Sequence, residues 1–270
     1  MSDHESVPAA VRQARIRSYV NEHEFVRVSD ISTRFEISEV TARADLKALS
    51  GRGQVRRVHG GAVPRIVHRS ERPFDLGEEG LVEGRAHLGQ EAATRVRQGD
   101  AILIDVGTTT TALARALVAR TELTDVAVFT NGLTIALELE LAFPRITVVV
   151  TGGTLRPMQH SLVNPLGETL LDGINASTAF IGCNGIDVDG GVTNVNLPEA
   201  AIKRRMVAAA RTRIVLAEGR KVGEIELARV CAIEDIDELI TDGAADPDVL
   251  DAIRAVGVQV TVVDGSDGSS

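Results

Sequence analysis

Seven short apolar runs constrain this chain more than any other feature: AILIDV, DVAVFT, RITVVV, ASTAFIGC, IVLAEG, IDELIT and VQVTVV. Helical patterns alternate with several of them, TTTTALARAL after the first, NGLTIALELE after the second and PEAAIKRRMVAAARTR after the fourth. Continuous apolar runs are strands buried on both faces, so the pattern predicts a mostly parallel sheet with helices on both sides. A further helix is expected over 78–98, ended by Gly99. Ligands of such folds sit at the carboxyl ends of the strands. There the unusual residues gather, in DVGTTTT, TNG, TGGT and GCNGIDVDGGVT. Glycine lets backbone N–H groups approach an anion, threonine hydroxyls add donors, and the helix N-terminus behind them favours negative charge. A strand-to-helix turn capped for its own sake has the same letters; four such ends in one region favour the anion cradle. The absence of a Gly-x-Gly-x-x-Gly run and of a Walker-type lysine argues against a dinucleotide or ATP.

Single residues allow two readings. Asp105 ends a buried strand, where an unpaired charge would be costly, so a polar role at the site is expected. Glu199 and Lys203, four apart on a helix, either grip a ligand or form an ordinary i,i+4 pair. Arg156 either adds positive charge beside TGGT or is a surface arginine. Cys183 has no evident base partner and reads as a small buried thiol.

The 270 residues fit two domains. Charge divides them unevenly: 13 Lys and Arg face 9 Asp and Glu in residues 1–72, and 16 face 29 beyond. A basic head on an acidic body is the asymmetry expected when only the head meets a polyanion. The N-terminus lacks the apolar core of a signal peptide, and runs such as ITVVV are far shorter than a membrane span. The two cysteines, Cys183 and Cys231, have neither metal spacing nor the number for a disulfide framework. The expectation is a cytoplasmic protein without a membrane segment, metal or cofactor.

In the head, a helix is expected from Pro8 to His23 with Val11, Ala14, Tyr19 and Val20 on one face. Ser29 is placed to cap a second helix and Ser38 a third. Val40, Ala44 and Leu46 to Leu49 are expected to form the buried stripe of that third helix. Two short helices joined so tightly, the second bearing Thr41, Arg43 and Lys47, read as a helix-turn-helix at about 26–45. The stretch GRGQVRRVHGGAV then reads as a β-ribbon wing. Glu39, Thr41, Ala42 and Arg43 suit the major groove, and Arg52, Arg56 and Arg57 suit flanking phosphates. His59 is read as a phosphate contact or a turn residue. Pro64 to about 77 reads as a linker between a head over 8–63 and a body over 78–264.

The stretch VRVSDISTRFEISEVTARADLKALSGRGQVRRVHGGAV resembles the N-terminal winged helix of the DeoR family of bacterial transcriptional regulators. It matches at Ser38, Thr41, Arg43, Asp45, Leu46, Arg57, His59, Gly60, Gly61 and Ala62, and departs at Ala44, where the family usually has a second arginine. The body resembles the family's sensor domain in DVGTTTTALARAL, VFTNGLTIALEL, VVTGGTLRP, LVNPLGETLL, AFIGCNGIDVDGGVTNVNLPEAAIKRRMVAAA and LAEGRKVG. The resemblance implies an α/β sensor sharing its fold with ribose-5-phosphate isomerase and glucosamine-6-phosphate deaminase. It implies a repressor of a sugar-catabolic operon, a homodimer or homotetramer on double-stranded operator DNA, released by a phosphorylated sugar. Ser38, Thr41, Arg43, Lys47, Arg56, Arg57 and His59 would meet the DNA. Asp105, Gly107, Thr108, Thr109, Asn131, Gly152, Gly153, Gly191, Thr193, Glu199, Lys203 and Lys221 would form the effector site. One departure falls at its edge: Ala217, Glu218, Gly219, Arg220 and Lys221 stand where the family usually has Ala-Asp-Ser-Ser-Lys. The rival readings are a sugar-phosphate isomerase or deaminase with an appended head, using Asp105 or Asp187 as base, and a structural nucleoid protein, which the acidic body disfavours.

Overall fold

Arg12, Ile16 and Val20 recur every fourth residue, and that stripe sets how the first helix packs. In the computed structural model, which describes residues 9–21, 25–51, 55–58, 60–64 and 79–263, this helix is α1 (Ala9–Asn21). Ile16 and Val20 are fully buried, whereas Val11 and Ala14, expected inside, are exposed. Residues 65–77 of the expected linker, Arg52, His59 and the side chain of Arg56 lie outside the described residues.

A two-residue strand β1 (Val26–Arg27) leads straight into α2 (Val28–Arg34). Ser29 lies inside α2 and does not cap it; the carboxylate of Asp30, at the third position, accepts the Arg27 N–H at 3.2 Å. The turn to α3 (Glu39–Gly51) is closed by Ser32, whose hydroxyl donates to the Ile37 carbonyl at 2.6 Å. Ser38 caps α3 as expected, its Oγ accepting the Thr41 N–H at 3.1 Å. The inward stripe of α3 is Ala42, Asp45, Leu46 and Leu49. Two expectations are corrected here: Val40 and Ala44 face solvent, and Ala42, expected at the DNA, is fully buried. At 100° per residue, positions 40 and 44 lie about half a turn from that stripe, so one packed face excludes them.

Asp45 joins α1 to α3. It accepts from Arg12 at 2.7 Å and 3.2 Å and from Gln13 at 2.8 Å. Burial pushes its carboxyl up, but the Arg12 and Gln13 hydrogen bonds and the Arg12 charge more than offset this and hold it below the usual range. A carboxyl depressed in the folded state stabilises above its unfolded pKa, and this stability is lost as the pH falls through the lower folded value. Asp45→Asn should cost the head about 2 kcal/mol at neutral pH and flatten this acid limb. The single tyrosine, Tyr19, stacks edge-on with Phe35 at 5.9 Å in a chain without tryptophan, so tyrosine fluorescence on unfolding follows the head alone.

The wing is the hairpin β2 (Val55–Val58) and β3 (Gly61–Pro64), with β1 added to the outer side of β3. A Cβ on Gly61 would lie 2.1 Å from the Val26 carbonyl oxygen, so β1 can join only because residue 61 has no side chain.

Beyond the expected linker, α4 (Glu79–Ala93) ends five residues short of the expected 98. Successive N–H groups of Thr94, Arg95 and Val96 reach back only three residues, tightening the chain out of the α-helix before Gly99 turns it at φ +79°. Then follow β4 (Ala101–Ile104), α5 (Thr108–Ala119), β5 (Val126–Thr130), α6 (Leu133–Glu140) and β6 (Ile146–Val150). A hairpin of β7 (Thr154–Arg156) and β8 (Ser161–Val163) leads to α7 (Pro165–Leu171), β9 (Ala176–Gly182), β10 (Gly185–Asp187) and β11 (Gly191–Asn194). The described residues continue through α8 (Leu197–Ala208), β12 (Ala210–Leu216), β13 (Ala228–Cys231), β14 (Glu238–Asp242), α9 (Pro247–Ala255) and β15 (Gln259–Val263). The expected helix over PEAAIKRRMVAAARTR stops at Ala208, and its last residues open β12.

Seven parallel strands form the main sheet in the order β15-β14-β12-β9-β4-β5-β6. Alternate residues supply two cores: Ile102, Ile104, Phe180 and Leu216 pack with α4, α5 and α6, and Leu103, Ala179, Ile181 and Val215 pack with α7, α8 and α9. Beside the second core lies a small sheet, β10-β11-β13. Connections after β4 run one way across the sheet and those after β9 run the other, so the order reverses between β4 and β9. A crevice opens at the carboxyl ends of such a strand pair, because the loops leave in opposite directions.

Candidate functional site

At that reversal, Asp105 follows β4 directly and is fully buried. Its Oδ2 accepts the Gly182 N–H at 3.1 Å from the end of β9 and is ion-paired with Lys203 of α8, whose ammonium also donates to the Gly182 carbonyl at 2.8 Å. One lysine and one aspartate thus pin the two diverging strands together. Burial outweighs the Lys203 charge and holds the Asp105 carboxyl up at about 6. Its second oxygen, Oδ1, and the hydroxyl of buried Thr109 have no hydrogen-bond partner among the described residues. The next two threonines are spent locally: Thr110 and Thr111 both donate to the Gly107 carbonyl, at 3.0 Å and 2.7 Å. The run after Gly107 therefore does two jobs, stabilising the start of α5 and leaving one hydroxyl unmet.

Asn131 binds the neighbouring loops. Its Oδ1 accepts the Val106 N–H at 3.0 Å and its Nδ2 donates to the Leu162 carbonyl at 3.3 Å. Gly152 and Gly153 follow β6 with φ of +77° and +122°. A Cβ on Gly153 would lie 2.4 Å from the Val163 oxygen, whereas one on Gly152 would meet nothing within 4 Å. Glu199 lies one turn before Lys203 on α8, but the two go to different partners. Glu199 is ion-paired with Arg156, accepts from Ser161 at 2.8 Å and from Asn194 at 3.3 Å, and its N–H is capped by Asn196 at 3.0 Å. Arg156 is accordingly a partly buried bracket for the hairpin.

Lys221 approaches from the turn after β12 and pairs with Glu218 at 3.3 Å. Glu218, nearly buried, also meets Arg220 at 2.9 Å and Arg85 of α4 at 3.5 Å. Burial raises its carboxyl, but Lys221, Arg85 and Arg220 outweigh that and hold it below the usual range. Cys183 lies in the fields of Lys221, Lys203, Asp105 and Glu218, and burial pushes its thiol up, which leaves it unreactive. Asp105, Gly107, Thr109, Asn131, Gly152, Gly153, Glu199, Lys203 and Lys221 thus border the carboxyl ends of adjacent strands. Gly191 and Thr193 serve the small sheet: the Thr193 hydroxyl donates to Gly185 at 3.1 Å and accepts from Glu226 at 2.9 Å, and Gly191 has no room for a Cβ against Cys231. Asp187 accepts the N–H groups of Asp189 and Gly190, closing a turn. Sequence reasoning missed Ser161, Asn194, Asn196 and Arg85, while Gly182 lies in the GCNGIDVDGGVT stretch it had marked without being singled out. Only Asn196 carried a local signal, an N-cap letter three before Glu199.

In the head, Ser38 and Thr41 stand at the start of α3, their hydroxyls 2.8 Å apart. Arg43 and Lys47 face solvent on α3, and Arg57 is exposed on β2. Arg43 pairs with Glu39 at 2.6 Å, an exposed pair of small energetic weight. A hollow of about 250 Å³ between α3 and the wing is lined by Arg27, Ser29, Glu39, Arg43, Arg57 and Gly60. Three guanidinium groups around one notch suit a phosphate backbone. Among the described residues no helix is long and apolar enough to cross a membrane, and no group of three or more His, Cys, Asp or Glu could hold a metal ion.

The model of the DeoR-like helix-turn-helix domain matches residues 12–65, and that of the DeoR C-terminal sensor domain matches 81–243. An uncharacterised helix-turn-helix transcriptional regulator of Bacillus subtilis, YulB, is 35 % identical over 94 % of this chain and 96 % of its own. The regulator GlpR of Haloferax volcanii is 34 % identical over 72 % and 74 %. A putative aga operon transcriptional repressor of Escherichia coli O157:H7 is 31 % identical over 65 % and 64 %.

Proposed function

Because this chain belongs to the DeoR family of helix-turn-helix transcriptional regulators, we propose that it represses a sugar-catabolic operon and is released from operator DNA by a phosphorylated sugar. It does this in the cytoplasm as a homodimer or homotetramer, with a head over 8–63, a linker over 64–77 and a sensor over 78–264. The observation that carries the effector reading is the cradle at the strand reversal. There the oxygens Asp105 Oδ1 and Thr109 Oγ1 are buried without partners among the described residues, and Lys203 is paired with the other oxygen of Asp105. Buried polar atoms are costly unless bonded, so a hydroxylated, charged ligand fits that place. A relative named as a putative repressor of the aga operon supports the sign of regulation. A sensor without turnover is the reading for the body: Asp187 spends its carboxylate on a turn, and Asp105 is locked to Lys203 and Gly182.

The test starts from a duplex selected by the full chain from a random-sequence library. Fluorescence anisotropy then follows its release as sugar phosphates, the free sugars and inorganic phosphate are titrated in. Release by one phosphorylated sugar, but by neither the free sugar nor phosphate, is expected. Release by none of the panel would sink the effector assignment, and turnover of ribose 5-phosphate or glucosamine 6-phosphate would revive the enzyme. Arg43→Ala and Lys47→Ala should each weaken this duplex about tenfold and lower the slope of log affinity against log salt by about one. An unchanged slope in both would remove α3 from the phosphate backbone.

A further inference from the structure

Four residues of α3 form its outer stripe: Val40, Arg43, Ala44 and Lys47, at i, i+3, i+4 and i+7. The buried stripe Ala42, Asp45, Leu46 and Leu49 locks the helix by its opposite side, and the Ser38 cap fixes where it starts. Rotation about the helix axis is therefore not free, and the outer stripe is what any double helix meets. Two of its members are cations. The other two are small and apolar, and Val40, in the first turn, is 74 % exposed. Residues at the N-terminal end of a recognition helix are the ones that reach base edges. A valine offers neither donor nor acceptor, and among the base edges of the major groove the apolar group is the thymine 5-methyl.

We propose that Val40 reads a thymine methyl in each operator half-site, with Ala44, one turn further on, leaving space for a neighbouring base while Arg43 and Lys47 anchor the flanks. This rests on the reading of the head as an operator-binding domain. It makes Val40 a specificity residue that works by shape, so its removal changes which sequence is preferred more than how tightly DNA is held.

Deoxyuridine is thymidine without that methyl, with every hydrogen-bonding group retained. In the duplex selected by the full chain, each thymine is replaced in turn by deoxyuridine and affinity is measured. One position per half-site should lose about fourfold, the loss expected for one buried methyl. With Val40→Ala, the same replacement should cost nothing further, while the salt slope stays as in the parent. Val40 is exposed, so the variant keeps the fold, checked by an unchanged tyrosine melting curve. The inference is overturned if no position responds to deoxyuridine, or if the response persists in Val40→Ala. Failure of the chain to select any duplex would overturn it together with the operator reading, which separates the two.

Discussion

Replacing Lys203 by Met should lower the melting temperature of the sensor unit by on the order of 10 °C and abolish its response to any effector. Removing one partner of a buried ion pair leaves the other charge uncompensated, a loss of about 3–5 kcal/mol. In a unit of this size each kcal/mol moves the midpoint by about 2–4 °C. Asp105 is fully buried and its alternative partner is a single Gly182 N–H, so little remains to hold the charge. Lys203→Met combined with Asp105→Asn should regain most of the stability, because the buried charge is gone and the amide oxygen can still accept from Gly182. It should not regain the effector response. Thermal unfolding followed by far-UV circular dichroism gives all four corners of the cycle; equal losses in the single and double variants would show that the pair does not hold the strands. The pH dependence adds a second readout. Asp105 titrates at about 6 in the folded unit, above its ordinary 3.8, so the folded state holds this proton more tightly than the unfolded chain. Its contribution is most favourable below about 4 and is lost as the pH rises to about 6, opposite in sign to that of Asp45. Asp105→Asn should erase that slope.

Gly153→Ala should silence the sensor while leaving operator binding intact. The residue has φ +122°, and an added Cβ would meet the Val163 oxygen at 2.4 Å. The atom it meets belongs to the backbone, so no side chain can swing away. Relief requires β8 to move off β7, and β8 carries two ties into the cradle, Ser161 to Glu199 and Leu162 to Asn131. Together, strain and clash should cost about 3 kcal/mol or more, with loss of effector-driven release in the anisotropy assay. Gly152→Ala is the control. It shares the positive φ but meets nothing, so it should cost only about 1 kcal/mol in stability. Equal losses of stability in the two variants would remove the steric role given to residue 153.

Much of this architecture was legible without coordinates, and the residues show why. Seven apolar runs are seven parallel strands, although the edge strands β6 and β15 are largely uncovered, because an apolar run is a signal that needs no knowledge of neighbours. Ser38 as a cap was equally readable, being a contact over three residues. Some errors came where a partner far along the chain decides, others from local helix geometry. Val40 and Ala42 exchanged roles because α3 packs one stripe inward, Ala42, Asp45, Leu46 and Leu49, whose Asp45 reaches Arg12, 33 positions away. The end of α4 was overestimated because turns with three-residue spacing keep the apolar rhythm of a helix. Of the site, the glycines and threonines at strand ends were visible, but Arg156, Ser161 and Asn194 converge on Glu199 only through folding.

Composition, periodicity and local capping determined by themselves that the chain carries a basic winged head and a doubly covered parallel sheet, since both depend on spacing of a few residues. Tertiary structure alone decided which oxygens at the strand reversal stay unmet and which side of α3 turns outward. Both are set by contacts between segments tens of residues apart, and one stretch of chain holds no record of what it will be packed against.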